Sequence, residues 1–214
     1  MNDTVLYLIR HADSCPSSNF NIITLSDDEN LIDAKNILSV SGEVKSKALA
    51  DLPELKNLDA VYSSSYVRAL GTAKYIASNN NTIINIDERL NERKVGKLGK
   101  MSVNEFETMQ MKDFDFKLTN GESLNETKKR VVEAIKNILM YEPGGRVAVV
   151  MHATAITCLM SAWCKVGYNF DGQTILSYEE EPIIDGEWTS PQMFEVVFDG
   201  MEVKSIRKVD LKLK

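Results

Sequence analysis

The chain has 214 residues, 43% of them hydrophobic, and 31 acidic against 25 basic side chains give a net charge of −6 and a pI near 5.1. That length and apolar content support a sizeable core, so a single domain over 1–214 is expected, with a variable loop near 13–38 and a variable β-rich portion near 170–209. The acidic balance argues against a nucleic-acid or anionic-membrane surface, although a small pocket can still be locally positive and take an anionic metabolite.

Val5 to Ile9 form an apolar run rich in β-favouring residues, which makes Thr4 to Ile9 the first strand, and polar chemistry begins abruptly after it at Arg10 and His11. Residues 13–38 carry Ser, Asn and Asp clusters with few periodic apolar positions and read as a long loop. Ser41 to Leu52 reads as an amphipathic helix that buries Val44, Ala48 and Leu49 and stops at Pro53. Asp59 to Ser63 is the second strand. Ser64 or Ser65 is expected to cap a helix to about Ser78 with Val67, Leu70, Ala73 and Ile76 inward. Asn79-Asn80-Asn81 breaks that helix, and Thr82 to Ile86 is the third strand.

Leu90 to Lys100 reads as a charged loop containing glycines. Ser102-Val-Asn-Glu105 and Ser123-Leu-Asn-Glu126 are capping-box patterns, and the second opens a long helix that buries Val131, Val132, Ala134, Ile135, Ile138 and Leu139. Pro143-Gly144-Gly145 ends it. Val147 to Met151 is the fourth strand, followed by His152 and a helix from Ala153 to Lys165. Thr174 to Tyr178 and Gln192 to Val209 hold two or three further strands, with a turn at Asp199-Gly200 and an exposed acidic turn at Glu179-Glu180-Glu181. Strands alternating with helices predict an α/β fold: three layers, α/β/α, around a mostly parallel sheet.

Cys15, Cys158 and Cys164 are odd in number and lack Cys-x-x-Cys spacing, which suits free thiols in a reducing compartment. The N-terminus lacks the basic and apolar regions of a signal peptide, and no apolar run is long enough to span a bilayer, so a cytoplasmic location is expected.

Four groups of polar residues follow the strands. Strand one delivers Arg10 and His11, strand two Ser63 to Ser65 and Arg68, strand three Glu92 and Arg93, and strand four His152; if the strands are parallel, all lie at one sheet edge, where such folds bind ligands. Two guanidinium forks match phosphate oxygens. A neutral imidazole can attack phosphorus, and a carboxyl can protonate a leaving oxygen. None of this chemistry needs a metal or another cofactor, and the two histidines, His11 and His152, lack the neighbouring ligands of a zinc site. Arg68 stands in the first turn of a helix, the wrong end for a cation, unless an anion compensates it.

Leu8-Ile9-Arg10-His11-Ala12 resembles the Arg-His-Gly signature of the histidine phosphatase superfamily, the phosphoglycerate mutase-like family. Tyr62 to Ala73, with its serines, Arg68-Ala69 and Thr72-Ala73, is similar to that family's second signature. Leu90-Asn91-Glu92-Arg93 with Gly96 resembles its acid-bearing loop, and Val149 to His152 its final histidine strand. Leu38-Ser39-Val40-Ser41-Gly42 resembles the opening of its first helix, and Gly121-Glu122-Ser123 a segment of its phosphatase branch. The resemblance implies a phosphoglycerate mutase-like fold. It implies that His11 becomes phosphohistidine, that Arg10, Arg68 and His152 hold the phosphoryl group, and that Glu92 protonates the leaving group. Ser17 stands near a place where the family often has Asn, and Arg93 and Thr154 are further candidate substrate contacts. Ala12 and Ala153 replace glycines common in the family, and Ala12 would be strained only at positive φ.

The function implied is metal-independent hydrolysis of a small phosphomonoester, a small phosphorylated metabolite. A phosphoglycerate-type mutase, suggested by Leu90 to Arg93, and a non-catalytic phosphate-binding protein are the alternatives.

Overall fold

The computed structural model describes residues 3–15, 29–170 and 172–213. The apolar run near the N-terminus forms β1 (Thr4–Arg10), flanked on one side by the parallel β4 (Arg146–Met151) and on the other by the antiparallel β8 (Gln192–Asp199). β2 (Ala60–Ser63) and β3 (Ile84–Ile86) extend the parallel half, and β9 (Glu202–Val209) closes the other edge, for the order β3-β2-β4-β1-β8-β9. A second, antiparallel sheet joins β5 (Lys165–Tyr168), β6 (Thr174–Tyr178) and β7 (Glu181–Asp185).

The period of two along β1 and β4 sends alternate side chains to opposite faces, and both faces are covered. Leu6, Leu8, Val147 and Val149 pack under α5 (Leu124–Tyr141) and α6 (Ala153–Met160). Tyr7, Ile9, Ala148 and Val150 pack under α2 (Val40–Ala50) and α3 (Val67–Asn79). Among the described residues the remaining α-helices are α1 (Glu29–Ala34) and α4 (Val103–Lys112). No described helix is long and apolar enough to cross a membrane.

Both capping boxes form: Ser102 with Glu105 opens α4, and Ser123 with Glu126 opens α5. Several expectations fail locally. The segment read as loop contains α1 and a bridge between Ser14 and Leu38, while 16–28 lies outside the described residues. Val44 and Val67 are exposed, because α2 turns Gly42, Ser46 and Leu49 inward and α3 turns Arg68, Ala69 and Thr72 inward. α3 begins after Tyr66 with no side-chain cap, since Ser64 and Ser65 bond elsewhere. The helix expected to reach Lys165 stops at Met160, and Lys165 begins β5. β3 covers only the last three residues of the strand expected from Thr82.

Candidate active site

The ladder carries the strand ends to one edge. His11 N–H donates to Met151 O at 3.0 Å, Ser64 N–H to Val150 O at 2.9 Å and Asp87 N–H to Ser63 O at 3.0 Å. These bonds align the ends of β1, β4, β2 and β3, so His11, Ser64, the 87–93 loop and His152 meet beyond the sheet. The imidazole rings of His11 and His152 lie 5.1 Å apart, edge to face at 62°.

The bonding pattern fixes the protons on His11. Its Nδ1 lies 2.7 Å from Ala12 O, an acceptor only, so Nδ1 carries the hydrogen. Its Nε2 accepts from Arg68 Nε at 3.0 Å, so Nε2 holds a lone pair. Burial, followed by the Arg68 charge, pushes the His11 pKa down to about 3, which keeps the ring neutral near pH 7. His152 is fully buried. Ser64 Oγ donates to Asn91 Oδ1 at 2.8 Å and is therefore free to accept from His152 Nε2 at 2.8 Å, leaving His152 Nδ1 as a buried lone pair without a partner. Burial first, then the charges of Arg68, His11, Arg130 and Arg10, hold the His152 pKa well below the usual range.

Arg68 is 5% exposed, and an anion does compensate its position at a helix start: Asp33 Oδ2 accepts from Nη2 at 3.1 Å. Its guanidinium also lies over the Tyr66 ring. Arg10 donates from Nη1 to Thr189 O at 3.1 Å and lies 5.7 Å from the Trp188 ring centroid, while its buried Nε has no acceptor.

Glu92 sits across the start of α6. It accepts from Ala155 N at 3.0 Å and Arg93 N at 2.9 Å through Oε1, and from Thr154 N at 3.2 Å through Oε2. A carboxylate at a helix N-terminus satisfies donors that lack intrahelical partners. Thr154 thus meets the acid through its backbone. Arg93 is buried, stacks over Phe106 and donates to Gln110 Oε1 at 2.5 Å. Arg10, Arg93 and Thr154 also line a cavity of about 360 Å³ beside the histidines. Ser17 lies outside the described residues.

Glycine motifs shape the surroundings. A Cβ on Gly42 would stand 2.0 Å from Asp13 O, so only glycine lets α2 approach the turn after His11. Ser39 N–H donates to that same oxygen at 2.9 Å, and Lys45 pairs with the Asp13 carboxylate at 2.8 Å. Ala12 N–H donates to Thr72 Oγ1 at 3.0 Å. Among the described residues, Asn57, Asn81, Asn120, Glu179 and Glu180 are the non-glycine residues at positive φ, so Ala12 and Ala153 carry no left-handed strain.

Two further residues matter: Arg130, which no motif marks, and Asn91, which lies in the acid-bearing loop motif but for which that resemblance implies no role of its own. Arg130, on α5, grips both Glu122 oxygens at 2.7 and 2.8 Å and donates to the carbonyls of Arg89, Asn91 and Glu92. It braces the loop that carries the acid. Asn91 Oδ1 accepts from Ser64 Oγ, Ser65 N and Ser65 Oγ, tying that loop to the start of α3. An arginine four residues past a helix's capping glutamate resembles any surface cation, so no local pattern marks Arg130.

A mostly parallel three-layer sheet with paired histidines at its strand ends places the chain in the phosphoglycerate mutase-like α/β class. More particularly, the chain belongs to the histidine phosphatase superfamily (branch 1), whose pattern matches residues 6–178. It is similar to "Probable phosphoglycerate mutase GpmB" of Enterobacter sp. (strain 638), 27% identical over 199 residues, covering 86% of this chain and 89% of that protein. The mycobacterial glucosyl-3-phosphoglycerate phosphatase in complex with VO3 superposes with a TM-score of 0.66 at 18% identity, covering 98% of this chain and 99% of that one. Phosphoglycerate mutase from Bacillus anthracis str. Sterne gives a TM-score of 0.64 at 18% identity, covering 97% and 93%. At that identity the two structures speak to the fold alone.

Proposed function

We propose that the protein is a metal-independent phosphatase that hydrolyses a small phosphomonoester through a phosphohistidine on His11. The observation that carries this reading is the proton arrangement on that ring: Nδ1–H is tied to Ala12 O and the Nε2 lone pair faces the Arg68 guanidinium. A buried, neutral imidazole oriented by its second nitrogen is an activated nucleophile.

In this mechanism the ester phosphate draws the Arg68 donors onto its oxygens, which releases the His11 lone pair. Nε2 attacks phosphorus and the bond to the leaving oxygen breaks. That oxygen takes a proton from Glu92, whose Oε2 faces only the Thr154 N–H among the described residues and takes up that proton from solvent before the ester binds. Arg10, Arg68 and His152 receive the three equatorial oxygens. The ester arrives as its monoanion and its remaining proton passes to the unpartnered Nδ1 of His152, so that both ring nitrogens donate. Water then attacks phosphorus, Glu92 takes back a proton, and the P–N bond breaks to release phosphate. Stabilising charge and fixed geometry supply most of the rate, as phosphoryl transfer requires.

The mutase reading rests on Leu90-Asn91-Glu92-Arg93 and on the names of relatives. Against it, residues 100–120 contain no arginine and no proline to fold over a substrate carboxylate, which favours water as the acceptor. Turnover of an aryl phosphate separates the readings. Steady phosphate release that 3-phosphoglycerate does not intercept supports the phosphatase. Transfer to 3-phosphoglycerate without net release supports the mutase, and phosphate binding with no turnover supports a binding protein.

A further inference from the structure

The cavity beside the histidines continues away from them along α6. That helix contributes Thr154, Thr157 and Cys158, one face at spacings of three and four, and Ser161 follows at its C-terminal cap. Seven residues at about 1.5 Å of rise give a hollow roughly 10 Å long, running from the end of α6 that Glu92 caps to its C-terminus. Phe114, Tyr168 and Trp188 present aromatic walls. Lys128, whose Nζ donates to Ser161 O at 2.9 Å, and Arg93 supply donors among those walls. Neither His11 nor His152 lines this space and Arg10 stands at its edge, so a phosphoryl group held by the three leaves most of the hollow to the alcohol.

A three-carbon acid, with C–C bonds of about 1.5 Å, spans roughly 4 Å and would leave more than half of that length filled by water against aromatic faces. A volume of about 360 Å³ is within the usual range for binding a whole small molecule. We infer that the leaving group is an extended, ring-bearing alcohol, with its ring between Phe114, Tyr168 and Trp188 and acceptor atoms turned toward Arg93 and Lys128. For turnover this rests on the phosphatase reading; for binding it does not. Val166, Tyr168 and Thr174 of the three-stranded sheet, with Gly186 and Trp188 after it, form one wall of the pocket. Tyr168 ends β5, and Trp188 follows β7 and stacks near Arg10, so the sheet couples the alcohol site to the phosphate site.

The test compares kcat/KM for 1-naphthyl phosphate and adenosine 5′-monophosphate with that for ethyl phosphate and 3-phosphoglycerate, in the native enzyme and in Thr157→Phe, which fills the middle of the hollow. Native enzyme should favour the ring-bearing esters, and the variant should lower the ratio of ring-bearing to ethyl ester by about tenfold or more. Independently, 1-naphthol should quench the fluorescence of Trp188, read against Trp188→Phe, in an assay that needs no hydrolysis. Equal or better use of ethyl phosphate or 3-phosphoglycerate by the native enzyme overturns the inference, as does a ratio unchanged in a folded Thr157→Phe. If Thr157→Phe does not fold, naphthol quenching alone decides, and its absence overturns the inference. Quenching without hydrolysis of any ester supports the alcohol site while removing the phosphatase reading.

Discussion

Replacing Arg130 with methionine keeps the length of the stem and removes five hydrogen bonds at once: two to Glu122 and three to the carbonyls of Arg89, Asn91 and Glu92. Both members of the ion pair are only 18% exposed, so the change strands a carboxylate in a mostly buried place. Removing one partner of a fully buried pair costs about 3–5 kcal/mol; partial access to water brings the expected loss here to about 2–4 kcal/mol. For a chain of this size that lowers Tm by roughly 4–16 °C.

The loss carries a pH signature. In the native protein burial raises the Glu122 pKa but the Arg130 bonds outweigh it, and the net shift is downward. A depressed carboxyl contributes stability that is present above its ordinary pKa and lost as pH falls. In Arg130→Met burial dominates and the pKa rises, so the variant's defect is greatest near neutrality and relaxes as Glu122 takes a proton in acid. Urea unfolding near pH 7 and near pH 5 reads both terms, with a smaller difference between native and variant expected at the lower pH. A difference under about 0.5 kcal/mol, or one that grows toward acid, would refute the brace assigned to Arg130.

The other predictions concern the site itself. Glu92→Gln should slow alkyl phosphates far more than aryl phosphates, whose leaving oxygens need little protonation; equal slowing of both would remove Glu92 as the acid. Ser64→Ala strips the acceptor from His152 Nε2 and from Tyr66 N–H and should lower kcat about ten- to a hundredfold, measured against an aryl phosphate, with a stability loss of about 1–3 kcal/mol from the stranded donors. Asp33→Ala frees an edge of Arg68 and should tighten inhibition by inorganic phosphate about two- to fivefold, the worth of a half-exposed ion pair; weaker inhibition would show that Asp33 helps to form the site. Because His11 is held neutral down to about pH 3, the unfolded chain binds a proton that the folded one refuses. Stability should therefore fall by about 1.4 kcal/mol per pH unit per such histidine as pH drops below 6.5, and His11→Asn should flatten the slope of urea stability against pH by one proton.

The sheet and the position of the site were legible because both rest on short-range patterns. The β1 and β4 runs stop sharply at polar residues, and the alternation that buries their two faces is written into Leu6, Tyr7, Leu8 and Ile9. The capping boxes at Ser102 and Ser123 were read correctly because their bonds span only three residues. What stayed hidden depends on distant partners. Ser64 looks like a helix cap, yet its hydroxyl serves His152, 88 residues away, and Asn91, 27 residues away. Val44 and Val67 look like core residues, but the close approach of Gly42 to Asp13 and the inward turn of Arg68 rotate other faces to the sheet. The end of α6 was missed because an apolar run does not show where a helix yields to a strand; Trp163 and Cys164 are partly or fully buried beyond the last helical residue.

The proposed mechanism transfers phosphorus to one ring nitrogen. Rapid quench into alkaline denaturant during turnover of a radiolabelled aryl phosphate, followed by peptide mapping at alkaline pH and assignment of the phosphohistidine isomer, reads the acceptor atom. The expected result is an acid-labile, base-stable phosphate on His11 at Nε2, formed and lost at rates compatible with turnover and absent in His11→Asn. Label on His152 or on His11 Nδ1, or full turnover with no phosphoenzyme at any quench time, would contradict it.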